Sequence, residues 1–543
     1  MTLADAIGIC LRRHGVDRLF CVLGDGNLEL LARLKHAHGI GLVHCRHEQA
    51  AVAMAHGHAH FSAHAAVASV THGPGLANAA TALVAASKDR VPVVVLTSIL
   101  SDPGHVQYFR QSGFVESCGA TNAPSATASE LLHSLDSALS LIGPKMLVVA
   151  PLADAFGQFV TPPSVEHAAI SIPPAEPEVT AITAAAYSMS RSKRPIVLAG
   201  RGAVEANADS VLQRLAATLG APIVTTLPAK GLCSRYRLSA GVCGALGSRV
   251  ASELLAASDC VYAVGSSLNS WTTSHGDWVA GKQVIHVDVD HNILANSSAE
   301  LKLHGDARIV STRLLNRLPR SQSSWPRRLL DRIYSAQRIP ILLDGPGTVD
   351  PQRALISLNE ALPSRRALVI DGGHFAIFAN QLLAVRDPRL FAVTYSFGAI
   401  GQALPVALGA AFALRGRLLT VAVVGDGGLM MALPDLDTAA RYALRVLVWV
   451  MNDEGYGQER HALAAHNLAP NEADYPSPDL VAVARAMGLD AHRIDSIESL
   501  AHVARLITKI SRPTLVDVRV NPNVVHPLQQ FMADRPSGPQ SPA

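Results

Sequence analysis

Three successive α/β domains, each a doubly wound parallel sheet, are what this sequence predicts, and two observations lead there. Short apolar runs, nearly continuous in Val, Ile and Leu, recur along the chain, and each is followed by a turn and an Ala-rich helical stretch. A strand that is apolar on both faces belongs inside a sheet covered on both sides, the usual setting of parallel strands. The second observation is length. A chain of 543 residues has room for about three ordinary domains. The strand–helix rhythm resets twice, at a Pro-rich stretch over 172–178 and at a less regular segment over 318–350.

In the first domain, 1–165, strands are expected at 18–23, 41–45, 66–70, 92–97 and 145–150. The central domain, 180–318, has them at 195–199, 222–225, 260–264 and 283–289. The third, 350–530, has them at 367–370, 419–424, 446–451 and 514–518. The tail, 531–543, has the composition of a disordered segment.

Composition narrows the function. Hydrophobic residues make up 49% and charged residues 16%, enough apolar material for several cores. The 46 basic and 43 acidic residues are dispersed, with no basic block, so no nucleic-acid partner is expected. No uncharged apolar run approaches the roughly 18 residues of a membrane span, so no membrane partner is expected either. The 7 cysteines form no Cys-x-x-Cys pair, and the N-terminal stretch lacks the pattern of an export signal. That combination fits a reducing cytoplasm.

The densest chemistry lies in the third domain. The strand over 419–424 runs into Gly425-Asp426-Gly427-Gly428. Glycines at the carboxyl end of a parallel strand let backbone N–H groups approach a phosphate. A carboxylate beside them suits Mg²⁺, which prefers oxygen ligands and bridges to phosphates. A helix is expected over 433–443. The next strand ends in Asn452-Asp453-Glu454-Gly455-Tyr456-Gly457, again rich in oxygen ligands. Parallel strands joined by one helix bring these ends together. A lone Gly-Asp-Gly is equally a tight turn. An earlier copy, Gly24-Asp25-Gly26, is read that way, because Val52 stands where Asp453 stands relative to Asp426.

This arrangement resembles the fingerprint of thiamin diphosphate-dependent enzymes, the family of acetohydroxyacid synthases, pyruvate and benzoylformate decarboxylases, and benzaldehyde lyase. The closest pattern is that of acetolactate synthase-like proteins. The resemblance implies thiamin diphosphate and Mg²⁺ as cofactors. It implies Asp426, Asp453 and the carbonyl of Gly455 as metal ligands, with Gly425, Gly427, Gly428 and Tyr456 around the cofactor. Asp453 departs from the family, where Asn is common, and Asn452 is an alternative ligand. Arg46-His47-Glu48-Gln49-Ala50-Ala51 resembles the motif of the activating glutamate. That glutamate hydrogen-bonds the aminopyrimidine N1′ and promotes the ylid. An apolar pocket around Glu48 would suit proton sharing. On its own, Glu48 reads more readily as the first residue of a helix whose positive end it stabilises, and it is the company of the other motifs that favours the catalytic reading.

Further motifs extend the resemblance. In His72-Gly73-Pro74-Gly75-Leu76-Ala77-Asn78, His72 replaces a small residue. It is either an acid/base group facing substrate or a hydrogen-bonded loop histidine. Ser396-Phe397-Gly398-Ala399-Ile400-Gly401-Gln402 matches the segment that bends the cofactor, with Ile400 between its rings. Gly373 and His374 match a loop near the diphosphate. Phe109, Arg110 and Gln111 are the substrate candidates. Arg110 is either a carboxylate clamp or a solvated surface residue. His56, His58, His60 and His64 lack carboxylate partners at metal-ligand spacing and read as an incidental His-rich helix.

In the central domain, Gly200-Arg201-Gly202 lacks the third glycine of a dinucleotide fingerprint. Leu268-Asn269-Ser270-Trp271 stands where FAD-binding relatives have an Arg-Phe-Asp-type run, which counts against FAD without ruling it out. Asp288 and Asp290 are read as capping a loop. The family pairs the pyrimidine domain of one subunit with the diphosphate domain of another, implying a homodimer or homotetramer. The activity implied is acetolactate synthase-like carboligation or decarboxylation of a small-molecule 2-oxo acid. The alternative is C–C cleavage of the benzoylformate decarboxylase or benzaldehyde lyase type. A nucleotide-binding oxidoreductase and a catalytically silent homologue are the readings from other classes.

Overall fold

The structure is a computed structural model describing residues 1–123, 127–141, 145–160, 177–319, 323–335 and 342–527. Most of the Pro-rich stretch, the ends of the expected first and third domains (161–165 and 528–530) and the tail 531–543 lie outside the described residues.

There are three six-stranded sheets. The first contains β1 (Arg18–Cys21), β2 (Gly41–His44), β3 (Ala66–Ser69), β4 (Val93–Leu96), β5 (Thr121–Asn122) and β6 (Met146–Val149), in the order 2-1-3-4-6-5. The second contains β7 (Pro195–Ala199), β8 (Ile223–Thr225), β9 (Ser239–Val242), β10 (Cys260–Val264), β11 (Gln283–Asp288) and β12 (Leu301–His304), in the order 12-11-10-7-8-9. The third contains β13 (Ala367–Ile370), β14 (Phe391–Val393), β15 (Thr420–Gly425), β16 (Val446–Asn452), β17 (Asp490–Ile494) and β18 (Thr514–Arg519), in the order 14-13-15-16-18-17. Neighbouring strands run parallel, as expected for strands buried on both faces. Every expected strand is present. The strands that sequence reading missed, β5, β9, β12, β14 and β17, each lie at the rim of a sheet. The residues of β5, β9, β12 and β17 are partly exposed or polar, so no continuous apolar run marks them, and β14, though apolar, is only three residues long.

The chain forms two compact units, one holding the first and third sheets and the other holding the second. In the first unit, the helix Glu48–Ser62 packs along the wholly apolar helix Ala403–Leu414. Two glycines permit this approach. A Cβ at Gly57 would overlap the carbonyl oxygen of Val406, and one at Gly409 would overlap that of Met54. Backbone cannot yield as a flexible side chain can, so Gly57→Val is expected to cost roughly 3 kcal/mol of stability or more. Thermal unfolding checks this against Gly113→Ala. That control sits in the helix Gln111–Ser117, where a Cβ meets nothing within 4 Å, and is expected to be neutral or stabilising. The His-rich stretch lies on the same helix. His56 pairs with Asp89 at 3.2 Å, and burial pushes the pKa of His58 down to about 4. These are packing and pairing positions.

In the second unit, Gly200, Gly202 and Gly265 bring two strand-end loops into backbone contact, since a Cβ at any of them would meet backbone of the other loop closer than 3 Å. His286 is buried with both ring nitrogens engaged, by Ser297 Oγ (2.8 Å) and the carbonyl of Ser266 (2.7 Å). Asp288 accepts the backbone N–H of Asp290, and Asp290 caps the helix His291–Ala295, as expected of loop-capping residues. No described helix is long and apolar enough to cross a membrane.

Candidate active site

Strands β15 and β16 are adjacent, with Gly425 in register with Met451, so Asp426 and Asp453 leave the sheet side by side. The local geometry differs from the expected open glycine turn. A helix begins at once, Asp426–Ala432, and after Leu433-Pro434 a second follows, Asp435–Arg441, in place of one helix over 433–443. Gly427 and Gly428 therefore occupy a first helical turn. Close neighbours explain them. Tyr475 Oη sits where a Gly427 Cβ would be, and Asp371 Oδ2 lies 2.7 Å from the ideal Cβ position of Gly428.

Asp426 is buried and accepts a hydrogen bond from Ser477 Oγ at 2.7 Å, together with backbone N–H groups including that of Gly455. Burial nevertheless raises its pKa. Asp453 is pushed up to about 7 by burial and by the charge of Asp426, against the pull of Arg460, whose Nη1 lies 3.0 Å from Asp453 Oδ2. Two neighbouring carboxylates whose charged forms are disfavoured suit a bound cation, which would satisfy both. Asn452 has another task. Its amide donates to Asp517 at 2.7 Å, and its Oδ1 accepts from the backbone of Glu454 at 3.2 Å and from Ser477 Oγ at 3.3 Å.

A cavity opens at these strand ends. It is lined by Gly373, His374, Ile400, Gly425, Asp426, Gly427, Gly428, Asp453, Gly455 and Tyr456, all residues singled out from the sequence. Gly398 does not line it. It sits in the loop leading to Ile400 with a φ of 80°, a conformation that favours glycine. The residue that holds this loop stands first in the Asp371-Gly372-Gly373-His374 motif, where sequence reading gave it no role of its own. Asp371, fully buried, accepts Thr394 Oγ1 (2.8 Å) and the Gly401 N–H (2.7 Å), fixing the segment that carries Ile400. Ser477 and Arg460 were missed.

Burial raises Asp371 to about 6 despite its hydrogen bonds. A carboxyl whose folded-state pKa lies above its unfolded value of about 3.9 stabilises the fold fully below that value. The contribution is lost as pH rises through the folded pKa. Wild type is therefore expected to lose stability relative to Asp371→Asn between about pH 4 and pH 7. Melting temperatures of the two proteins across that range check this, and a constant gap would contradict it.

Glu48 does not line the cavity. It opens the helix Glu48–Ser62 and is half-buried within the chain. Its Oε2 accepts Asn78 Nδ2 at 3.1 Å, and its Oε1 lies 3.6 Å from the ideal Cβ position of Gly75, so two of the sequence motifs meet here. Gly73 takes a φ of 61° and donates its N–H to Gln111 Oε1 at 3.3 Å. Gln111 is buried, with Nε2 donating to the carbonyl of Ser98 at 2.9 Å. Phe109 packs edge-on against Phe114, and Arg110 is exposed. His72 is buried, with its ring nitrogens 2.8 Å from Ser98 Oγ and 2.8 Å from Gln107 Oε1. That is the geometry of a hydrogen-bonded loop histidine. The earlier Gly-Asp-Gly forms a short 3-10 turn, Asp25–Asn27, in which Gly26 leaves room for the ring of His72.

Comparison with known proteins agrees with this layout. Residues 1–111 match the thiamine pyrophosphate enzyme N-terminal TPP binding domain, 182–314 the central domain, and 371–518 the C-terminal TPP binding domain. The chain is 28% identical to an acetolactate synthase large subunit of Parasynechococcus marenigrum, over 95% of this chain and 87% of that protein. It is 27% identical to a sulfoacetaldehyde acetyltransferase of Alcaligenes xylosoxydans xylosoxydans, over 92% and 89%. It is 29% identical to a probable 2-ketoarginine decarboxylase, AruI, of Pseudomonas aeruginosa, over 96% and 94%. With three parallel sheets matched in order and the motifs gathered at strand ends, the chain belongs to the thiamine pyrophosphate (thiamin diphosphate)-dependent enzymes and is similar to acetolactate synthases.

Proposed function

We propose that the protein is a Mg²⁺-dependent carboligase of the acetolactate synthase type acting on a 2-oxo acid. The observation that carries this is the cavity where Asp426, Asp453, the Gly455 segment and Ile400 converge. Asp426, Asp453 and the Gly455 carbonyl would hold Mg²⁺ against the diphosphate, and Ile400 would support the bend between the rings. Bound thiamin diphosphate supplies a nucleophilic carbon and an electron sink for a carbonyl donor. Glu48 would hold and move a proton at the aminopyrimidine N1′. Because Glu48 lies outside the cavity of Asp426, the two would meet across subunits of a homodimer or of a dimer of dimers. FAD is not required by this reading, in which Gly200, Gly202 and Gly265 serve the packing of two loops on each other. His72, Phe109, Arg110 and Gln111 fit best as the wall beside the pyrimidine. Within it, His72, Gln107 and Gln111 set the shape of the loop, and Arg110 is the group open to a substrate carboxylate.

Proton NMR of products from pyruvate with thiamin diphosphate and Mg²⁺ tests the reading, and acetolactate is the expected product. The similarity to a probable 2-ketoarginine decarboxylase favours a second reading, simple decarboxylation, which would give the aldehyde with no new C–C bond. No product from pyruvate despite measured cofactor binding would overturn the pyruvate assignment.

A further inference from the structure

We propose that Arg460 is the counter-charge and positioning residue that lets a second carboxylate, Asp453, stand at the metal–diphosphate site. This rests on the cofactor site proposed above and assigns a role to a residue outside its ligand set.

Asp426 and Asp453 place two carboxylates at neighbouring strand ends beside the cavity. A diphosphate carrying one Mg²⁺ is itself anionic, so two uncompensated carboxylates would repel it. The compensating cation is built in. Arg460 lies on the helix Gly457–Ala465, with its side chain 12% exposed and that of Asp453 16% exposed. Its Nη1 donates to Asp453 Oδ2 at 3.0 Å, and its Nη2 donates to the backbone carbonyls of Asp453 (3.1 Å) and Glu454 (3.4 Å). The guanidinium thus grips both the side chain and the backbone of the segment that ends at Gly455, a use of its planar fork that an ammonium cannot copy in full. Gly457 leaves room for the pair, since a side chain there would overlap Asp453 Oδ2. Two neighbouring carboxylates have arrangements of their own: Glu454 pairs with Arg519, and Asp474, which also bonds Arg460 Nε, is half exposed and screened by solvent. Arg460 holds Oδ2, so Oδ1 is the oxygen that the arginine leaves to the metal.

The test is a double-substitution cycle read by calorimetric titration of thiamin diphosphate into the full-length protein at saturating Mg²⁺. Arg460→Gln is expected to weaken binding about tenfold when Asp453 is present, and by no more than about twofold in Asp453→Asn. Arg460→Lys, which keeps the charge, should bind within about threefold of wild type. Circular dichroism establishes that each variant is folded. If Arg460→Gln alone is unfolded, the comparison of Arg460→Lys with Asp453→Asn/Arg460→Gln still decides, because both preserve charge balance and both should bind. Equal losses from Arg460→Gln in the two backgrounds would overturn the counter-charge role and leave the site reading intact. Absence of binding by folded wild type would overturn the site reading, and this proposal with it.

Discussion

Glu48→Gln is expected to lower kcat by about 10³-fold, within the roughly 10²–10⁴ range of a positioned acid/base group, while cofactor affinity changes little. The substitution is almost isosteric. The amide oxygen of Gln can still accept from Asn78 Nδ2, which now bonds Glu48 Oε2 at 3.1 Å, and the residue can still begin the helix Glu48–Ser62. What is lost is the ability to exchange a proton. The result therefore separates two roles that coexist at this position. If Glu48 only stabilises the positive end of its helix, Gln costs a few tenths of a kcal/mol of stability, and kcat stays near wild type. Exchange of the thiazolium C2 proton for deuterium, followed by NMR after acid quench, reads the affected step itself.

Asp426→Ala is expected to weaken thiamin diphosphate binding in the presence of Mg²⁺ by about 100-fold or more. Truncating one member of a buried, charge-paired set costs roughly 2–5 kcal/mol. Asp426 is the buried member here, gathering Ser477 Oγ and the backbone N–H of Gly455 on one carboxylate. Ser477→Ala is the control. It removes a 2.7 Å hydrogen bond and leaves the carboxylate in place, so it should cost about tenfold or less. Calorimetric titration of both variants, after circular dichroism has established that they are folded, checks the prediction. Equal losses in the two would mean that the hydrogen-bonded scaffold, not the charge, sets the affinity.

How much of this was readable before the structure follows from where each residue sits. The inner strands were legible because two buried faces leave no place for polar residues, as in β15 and β16. The rim strand β17, Asp-Ala-His-Arg-Ile, alternates in burial and carries no such run. The cavity-lining residues at the ends of β15 and β16 were legible because chemistry sits at the ends of adjacent parallel strands, and strand order follows from connectivity. Arg460, Ser477 and the loop-holding role of Asp371 were not, because each reaches its partner through a loop or helix whose course no local pattern gives. One signal for Arg460 was available. A carboxylate at 453, where the family commonly has Asn, calls for a cation, and Arg460 stands a short way further along the chain. Glu48 is half-buried beside Asn78 within one chain, and its full environment depends on what packs against this helix end, which no helix sequence gives.

The central claim is that Glu48 of one subunit serves a cofactor held by Asp426 of another. Co-expression of Glu48→Gln and Asp426→Ala chains, with separate affinity tags to isolate the mixed oligomer, tests it most directly. Each parent is expected to be inactive. In the mixed dimer one site carries both substitutions and the other carries neither, so about half of the wild-type turnover should return, with acetolactate as the product from pyruvate. A mixed dimer as inactive as its parents would contradict the account, since it would place both residues of each site in the same chain.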